Sequence, residues 1–465
     1  MNTLSVKLKQ LKKDDVISIA DAIVAFLLVI CPILQHYVGL IVDARATVML
    51  LVTPYLIYRF WIKNEINYLL LLPLIFYCLY KAFADGFNIL SLGREGMTCF
   101  IIIAVASGII DIKSFMRFIT IIAVVASCLI FIQYFCYYVL GFHLQLVPTS
   151  LFLESSDQWI GMAQTGKISI FGNKMRFYRP SSFFLEPSHM TLFCVPPVLL
   201  NLISPGFTLR KGIIAAIITL GVVASTSGMG IGLCAGIWML FFAFYFGEDM
   251  GEKPLTFGKI KINGIKLKAF EFKGIKIGNH QLFKFNFKGH FIRPVNMIFV
   301  VLLLIAFILA YIFIDVVRDS VNRVILVSDK GYNAIIGRTN SGIKAIKDLH
   351  GLEILFGKHI SEIGDTGYTA AFFKTFYKYG LVGLIPSYFF YVYSVIKLKR
   401  QYFWMAVLVF GISFFSVHTH MLSYMMFLCF ILFAGHFENG TANPKQLSLS
   451  IHPFGLKKKI ETENN

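Results

Sequence analysis

The densest group of chemically capable side chains lies between Met175 and Met190, in the run Met-Arg-Phe-Tyr-Arg-Pro-Ser-Ser-Phe-Phe-Leu-Glu-Pro-Ser-His-Met. It holds two arginines, Arg176 and Arg179, and one carboxylate, Glu186. A guanidinium keeps its charge at any physiological pH and offers a planar fork of N–H donors, which suits phosphate oxygens. Proline fixes its own φ and pushes the residue before it toward extended backbone. Arg179 stands directly before Pro180, and Glu186 directly before Pro187. The run reads as a stiffened loop that presents cations and a carboxylate. Three more arginines, Arg318, Arg323 and Arg338, fall in a second polar stretch further along.

The elements that hold these groups must be membrane helices. The chain has 465 residues, of which 57% are hydrophobic and 15% charged, and its mean hydropathy is +0.71. A soluble protein of this length cannot hide that much apolar surface, so lipid is the solvent for much of it. A bilayer core needs about 20 apolar residues per helix, and that window predicts about twelve spans. They fall near 16–34, 40–60, 66–84, 96–112, 116–141, 188–204, 212–227, 229–247, 294–314, 369–396, 402–417 and 419–437. The expected fold is an all-α polytopic membrane protein with about 12 transmembrane helices, two outer loops and one basic cytoplasmic loop. Its regions are N-terminal helices within 1–141, a first external loop 142–187, central helices 188–247 and a basic cytoplasmic loop 248–293. A helix at 294–314, a second external loop 315–368, C-terminal helices 369–437 and a cytoplasmic tail 438–465 follow.

Charge sets the expected orientation. Arg59 with Lys63, Lys113 with Arg117, Arg210 with Lys211, and Lys397 with Lys399 and Arg400 fall on one side, as do the lysines near both termini. Positive residues in short loops favour the cytoplasm, so both termini are expected inside, in a plasma (inner) membrane. Lys7 to Lys13 precede a long apolar run with no small-residue cleavage site, which reads as a first span rather than a cleaved signal. The net charge of +18 is read as membrane-facing, not as a nucleic-acid footprint, because most of the chain is lipid-soluble. All eight cysteines sit in apolar runs without a C-x-x-C pair, and read as small buried hydrophobes. No metal or other cofactor is expected; the histidines of His418-Thr-His420 point to different helix faces.

Within 248–293, Lys259, Lys261, Lys266, Lys268, Lys273 and Lys276 alternate with apolar residues and glycines punctuate the run. Period-two alternation predicts short strands or hairpins. The segment is expected to lie on anionic headgroups or to bind a cytoplasmic partner. The loop 315–368 reads as helical pieces at Asp315–Val327 and Thr339–Leu349. The two outer loops bring arginines to one external mouth. There the anionic head of a lipid-linked diphosphate would sit, so Arg176, Arg179, Arg318, Arg323 and Arg338 are candidates to hold it.

Arg179-Pro-Ser-Ser-Phe-Phe-Leu-Glu-Pro-Ser-His resembles the signature of bacterial O-antigen and capsular polysaccharide polymerases, the Wzy type. Ser225-Thr-Ser-Gly-Met-Gly-Ile-Gly, Gly337-Arg338, Leu355-Phe-Gly-Lys and Tyr379-Gly-Leu-Val-Gly-Leu-Ile are similar, in that order, to elements of the wider O-antigen polymerase and ligase superfamily. The resemblance implies a glycosyltransferase that polymerises polyprenyl-diphosphate-linked oligosaccharide repeats on the external face, with no nucleotide sugar. Outer-loop arginines would offset charge on the leaving diphosphate. A base would deprotonate the acceptor hydroxyl, and Glu186, His359 and Asp365 are the candidates. The ligase branch carries a histidine motif that His359-Ile-Ser-Glu-Ile-Gly-Asp does not reproduce, which favours a polymerase. A chain-length regulator and a flippase are the implied protein partners. The rival readings are an O-antigen ligase and a transporter or flippase for lipid-linked glycan; the latter expects charges at the bilayer midplane and internal repeats.

Overall fold

Apolar runs of bilayer length become helices, and small polar residues start them. In the computed structural model the described residues are 19–40, 43–63, 68–84, 86–87, 89–151, 164–165, 167–169, 176–203, 207–246, short strands and Gly264 between 255 and 292, 293–315, 317–318, 321–322, 334–358, 369–397, 404, 407–408 and 411–412. The chain is mostly helical. The helices are α1 (Ile19–Leu34), α2 (Ala44–Lys63), α3 (Tyr68–Ala84), α4 (Ile89–Ala106), α5 (Ile112–Tyr138), α6 (Pro187–Ile203), α7 (Leu209–Ala224) and α8 (Gly228–Leu240). A π turn, Phe241–Tyr245, continues α8. α9 (Pro294–Phe313), α10 (Ala334–Lys347), α11 (Leu352–Phe356) and α12 (Ala371–Lys397) follow.

Local chemistry explains the starts. Asp43 precedes α2, where its carboxylate accepts from the Ala46 amide at 2.6 Å and from Arg45 at 2.7 Å. The two charges that interrupt the predicted span 40–60 thus neutralise each other while capping its helix. Asp111 caps α5 by accepting from the Lys113 amide at 3.1 Å, and Ser227 caps α8 by accepting from the Gly230 amide at 3.4 Å. Pro294 opens α9, where a missing N–H costs nothing.

Among the described residues three helical stretches are long and apolar enough to cross a membrane: Lys113–Tyr138, Gly228–Tyr245 and Pro294–Phe313. Ile19–Leu34, Leu72–Ala84, Gly96–Val105 and Pro187–Ile203 are shorter apolar helices. α9 shows why lipid is needed. Its 20 residues span about 30 Å at 1.5 Å each, the thickness of a hydrocarbon core. Leu302, Ile305, Ile308 and Leu309 on it are exposed.

α6 is the opposite case. Every residue in it except Ser188 and Asn201 is buried, against α5, α7 and α8. Gly230 of α8 sets the spacing: a Cβ there would fall 2.6 Å from both Thr191 Oγ1 and Val222 Cγ1. Gly232 and Gly236, which form a G-x-x-x-G in the same helix, face open space among the described residues. The close approach comes from Gly230 alone of the three.

The strands correct the all-α expectation. β1 (Lys167–Ser169) pairs antiparallel with β2 (Arg176–Tyr178). In the basic segment, β3 (Leu255–Phe257) pairs with β4 (Ile260–Ile262), β5 (Ile265–Leu267) with β10 (His290–Ile292), β6 (Phe270–Phe272) with β9 (Phe285–Phe287), and β7 (Ile275–Ile277) with β8 (His280–Leu282). The predicted hairpins are therefore present.

Two predicted spans differ in detail. α4 lies further back than 96–112, because the chain turns at Gly108, with φ +65°, before the Asp111 cap. The stretch 369–396 is interrupted at Gly380, where φ is +59° and ψ is −165°. The predicted helix at Thr339–Leu349 begins earlier, at Ala334, and Gly342 packs it onto Phe373 of α12. Of the predicted spans 402–417 and 419–437, only 404, 407–408 and 411–412 are described, and His418 and His420 lie outside the described residues. The seven described cysteines are free thiols, and all but Cys128 are buried.

Candidate functional site

The segment 178–190 is built into the head of α6. Tyr178, the last residue of β2, stacks on Tyr137 of α5 with ring centroids 4.0 Å apart and planes within 4°. Its hydroxyl donates to the Gln133 carbonyl at 3.2 Å and lies 2.9 Å from His143 Nδ1. Burial pushes this phenol above its ordinary pKa. The Gln133 side chain ties the loop on both sides: Nε2 donates to the Leu144 carbonyl at 3.0 Å, and Oε1 accepts from the Ser182 amide at 2.9 Å.

Arg179 follows, 7% exposed. Its Nε donates to Thr226 Oγ1 at 3.2 Å. Thr226 sits in the turn between α7 and α8 with φ +58°, and Ser182, three residues past Arg179, has φ +57°. Left-handed backbone is unusual for any residue other than glycine, most of all for a β-branched one, and costs on the order of 1–3 kcal/mol. Two such residues flank one arginine. Both are completely or almost completely buried, and Ser182 Oγ makes no hydrogen bond among the described residues. The surrounding structure over-determines this geometry, as it does where a loop is held ready for a ligand.

Glu186 stands immediately before α6. Its carbonyl accepts from the amides of His189 and Met190, and its carboxylate accepts from Ser188 Oγ at 2.7 Å. A carboxylate is favoured at this end of a helix, where the aligned peptide dipoles are positive; an anionic ligand is favoured there for the same reason. The other carboxylate oxygen lies 3.9 Å from His189 Nε2. His189 is 2% exposed, and its ring stacks flat on His36, centroids 4.9 Å apart and planes within 3°. His36 comes from the turn after α1, far away in sequence.

Thr226, which holds Arg179, precedes the Ser227 cap of α8, and Gly230 of that first turn packs on Thr191 in the first turns of α6. Arg179 is thus tied to the α7–α8 turn, while Glu186, His189 and His36 lie together at the start of α6. The set offers a cation for an anionic group and a carboxylate–imidazole pair that can take or give a proton. Among the described residues no group of three or more His, Cys, Asp or Glu side chains is arranged to hold a metal ion.

The other predicted residues are placed differently. Arg318, past the end of α9, pairs with Asp315 at an exposed position. Arg176 lies in β2 opposite Ser169, and Arg338 lies in α10. Arg323, His359 and Asp365 lie outside the described residues. Sequence reasoning singled out Arg179 and Glu186 but did not pick out the pairing of His189 with His36. The histidine at the start of α6 was a visible signal; its partner on another helix was not. No protein-family model matches the chain, and no curated protein matches it.

Proposed function

We propose that this chain is a multi-pass membrane glycosyltransferase that polymerises polyprenyl-diphosphate-linked oligosaccharide repeats on the external face of the plasma membrane. One observation supports the reading: within the Arg179–His189 motif the arginine is buried and hydrogen-bonded to Thr226, and the carboxylate at the start of an enclosed helix lies beside a buried, stacked histidine pair. A guanidinium suits a phosphate group because its planar fork donates several hydrogen bonds. A diphosphate at the bilayer interface offers such a group, and the motif resembles that of polymerases acting on one. In this reading about twelve spans cross the bilayer and both termini are cytoplasmic.

The reaction would run as follows. A hydroxyl at the non-reducing end of a lipid-linked repeat attacks the anomeric carbon of the lipid-linked growing chain. The new glycosidic C–O bond forms as the bond to the diphosphate oxygen breaks. Polyprenyl diphosphate leaves with the electron pair, and the hydroxyl proton passes to a base. Arg179 offsets the charge developing on the diphosphate. Arg176, Arg338, Arg323 and Arg318 are further candidates for that task. Glu186 and His189, 3.9 Å apart, are placed to receive the proton together, and His359 and Asp365 are the alternative bases. The product would be O-antigen or capsular polysaccharide.

The test is complementation of a deletion strain with Arg179→Ala, Arg179→Lys and Glu186→Gln at matched protein level. Loss of a preorganised electrostatic donor typically costs about 100- to 1000-fold in rate, so Arg179→Ala should leave single-repeat product and no ladder. Lysine, a point charge without the fork, should restore little. A full-length ladder from Arg179→Ala would end the proposal. Long chains accumulating on the carrier lipid in the deletion strain would mark a ligase instead. Polymer formed by purified protein in liposomes without any gradient would exclude a transporter.

A further inference from the structure

The segment between α8 and α9 has a regularity that catalysis does not use. Strands β3 to β10 begin at an unbroken interval of five residues, from Leu255 to His290. In β3 to β7 the first and third residues are apolar, as in Ile260-Lys-Ile262 and Phe270-Glu-Phe272. The three inner ladders share one register. Ile265 pairs with Ile292, Phe270 with Phe287 and Ile275 with Leu282, so each step of five on one strand is matched by five on the other. The described strands from Ile265 to Ile292 therefore pair as a two-stranded ribbon in one continuous register.

The helical ends that flank this segment meet at one point. Phe246, just past the π turn, packs on Phe299 with centroids 4.8 Å apart, and Asn296 Nδ2 donates to the Ala243 carbonyl at 3.2 Å. Asn296 is fully buried and Arg293 nearly so. The segment is therefore flanked by adjoining ends of two helical stretches, Gly228–Tyr245 and Pro294–Phe313, that are each long and apolar enough to cross a membrane. That places its base at a bilayer surface.

A two-stranded ribbon is at best marginal in water, and this one is built of three-residue ladders. It needs a surface to lie on. The surface must take apolar side chains and, within a residue or two, cations. From 255 to 293 the chain carries nine lysines and arginines against one carboxylate, Glu271. A protein core would reject that charge, whereas a headgroup layer offers phosphates next to hydrocarbon. Lys266 and its neighbour Ile265 are both exposed, so the described side chains here are not consumed by the bundle. We propose that the ribbon 255–292 is a lipid-reading element that lies along the membrane surface and binds anionic phospholipid headgroups.

The proposal is independent of the polymerase reading, and an Arg179→Ala protein should behave here as the parent does. The full-length protein is placed in nanodiscs of phosphatidylcholine, alone or mixed with phosphatidylglycerol, and amide hydrogen exchange is followed by mass spectrometry. Peptides from 255–292 should exchange at least about tenfold more slowly with the anionic lipid, and the difference should vanish near 1 M salt, where the screening length falls to about 3 Å. The triple variant Lys261→Glu, Lys266→Glu, Lys276→Glu should lose the protection while peptides of α8 and α9 keep theirs, which separates lost binding from lost folding. Equal exchange in the two lipids would overturn the proposal. So would protection that survives high salt or charge reversal, or that arises only when RNA or a soluble protein fraction is added.

Discussion

The crossing between α11 and the break in α12 makes a demand that can be measured. Two glycines meet there back to back. A Cβ on Gly357 would fall 2.4 Å from the Lys378 carbonyl oxygen, and a Cβ on Gly380 would fall 2.3 Å from that of Leu355. Both have positive φ, +78° and +59°, with ψ near 180°, a region that side chains exclude. Lys358 donates its amide to the Tyr377 carbonyl at 2.9 Å, and the Tyr80 hydroxyl of α3 reaches the Phe356 carbonyl at 2.7 Å and the Tyr379 carbonyl at 3.1 Å. Alanine at either glycine adds about 1–3 kcal/mol of backbone strain. It also forces the two backbones apart, which loses a net hydrogen bond worth about 1 kcal/mol. Each single substitution should therefore cost about 2–4 kcal/mol. The double variant should cost less than the sum of the singles by about the shared hydrogen bond, about 1 kcal/mol, because once the crossing opens the second alanine adds only its own backbone strain. Gly351→Ala calibrates the strain alone, since Gly351 has φ +56° with nothing within 4 Å of a Cβ. Urea unfolding in detergent micelles, followed by tryptophan emission, gives all four values. Additive single effects, or a Gly380→Ala protein as stable as the parent, would refute the reasoning.

Two further outcomes follow from packing and burial. Gly230→Ala should destabilise by about 1–3 kcal/mol through overpacking against Thr191 and Val222, whereas Gly232→Ala and Gly236→Ala should be neutral or slightly stabilising; thermal unfolding of the three purified variants decides this. The Tyr178 phenol, raised by burial, stays protonated in the folded protein where the unfolded chain releases its proton, so its contribution is complete below the ordinary phenol pKa of about 10 and is lost as pH rises above it. Tyr178→Phe should remove that part of the alkaline loss, read as a smaller drop in unfolding midpoint across that range.

Much of the bundle was legible because a bilayer fixes helix length. The runs near 188–204, 212–227 and 294–314 became α6, α7 and α9 within a few residues. Pro187 announced the start of α6, and the alternation from Lys259 onward announced the hairpins. The five-residue interval was also present in the sequence, but a search tuned to a period of two passes over it. Other features depend on distant partners. Of the glycines in α8 the crowded one is Gly230, and not Gly232 or Gly236 of the G-x-x-x-G, because only the placement of α6 decides which glycine is crowded. The break at Gly380 is imposed by α11 crossing it. His36 meets His189 only because α1 ends beside the start of α6.

Among the described residues of α9, only Pro294 and Asn296 are buried, both in its first turn. The helix is thus packed at one end and exposed along the rest. A bilayer thinner or thicker than about 30 Å imposes hydrophobic mismatch, which a helix relieves by tilting at modest cost. α9 can absorb that tilt by pivoting about Asn296, while α6, enclosed on every side, keeps its bearing. Membranes of different thickness would then re-aim the far end of α9 and leave the Arg179 loop in register.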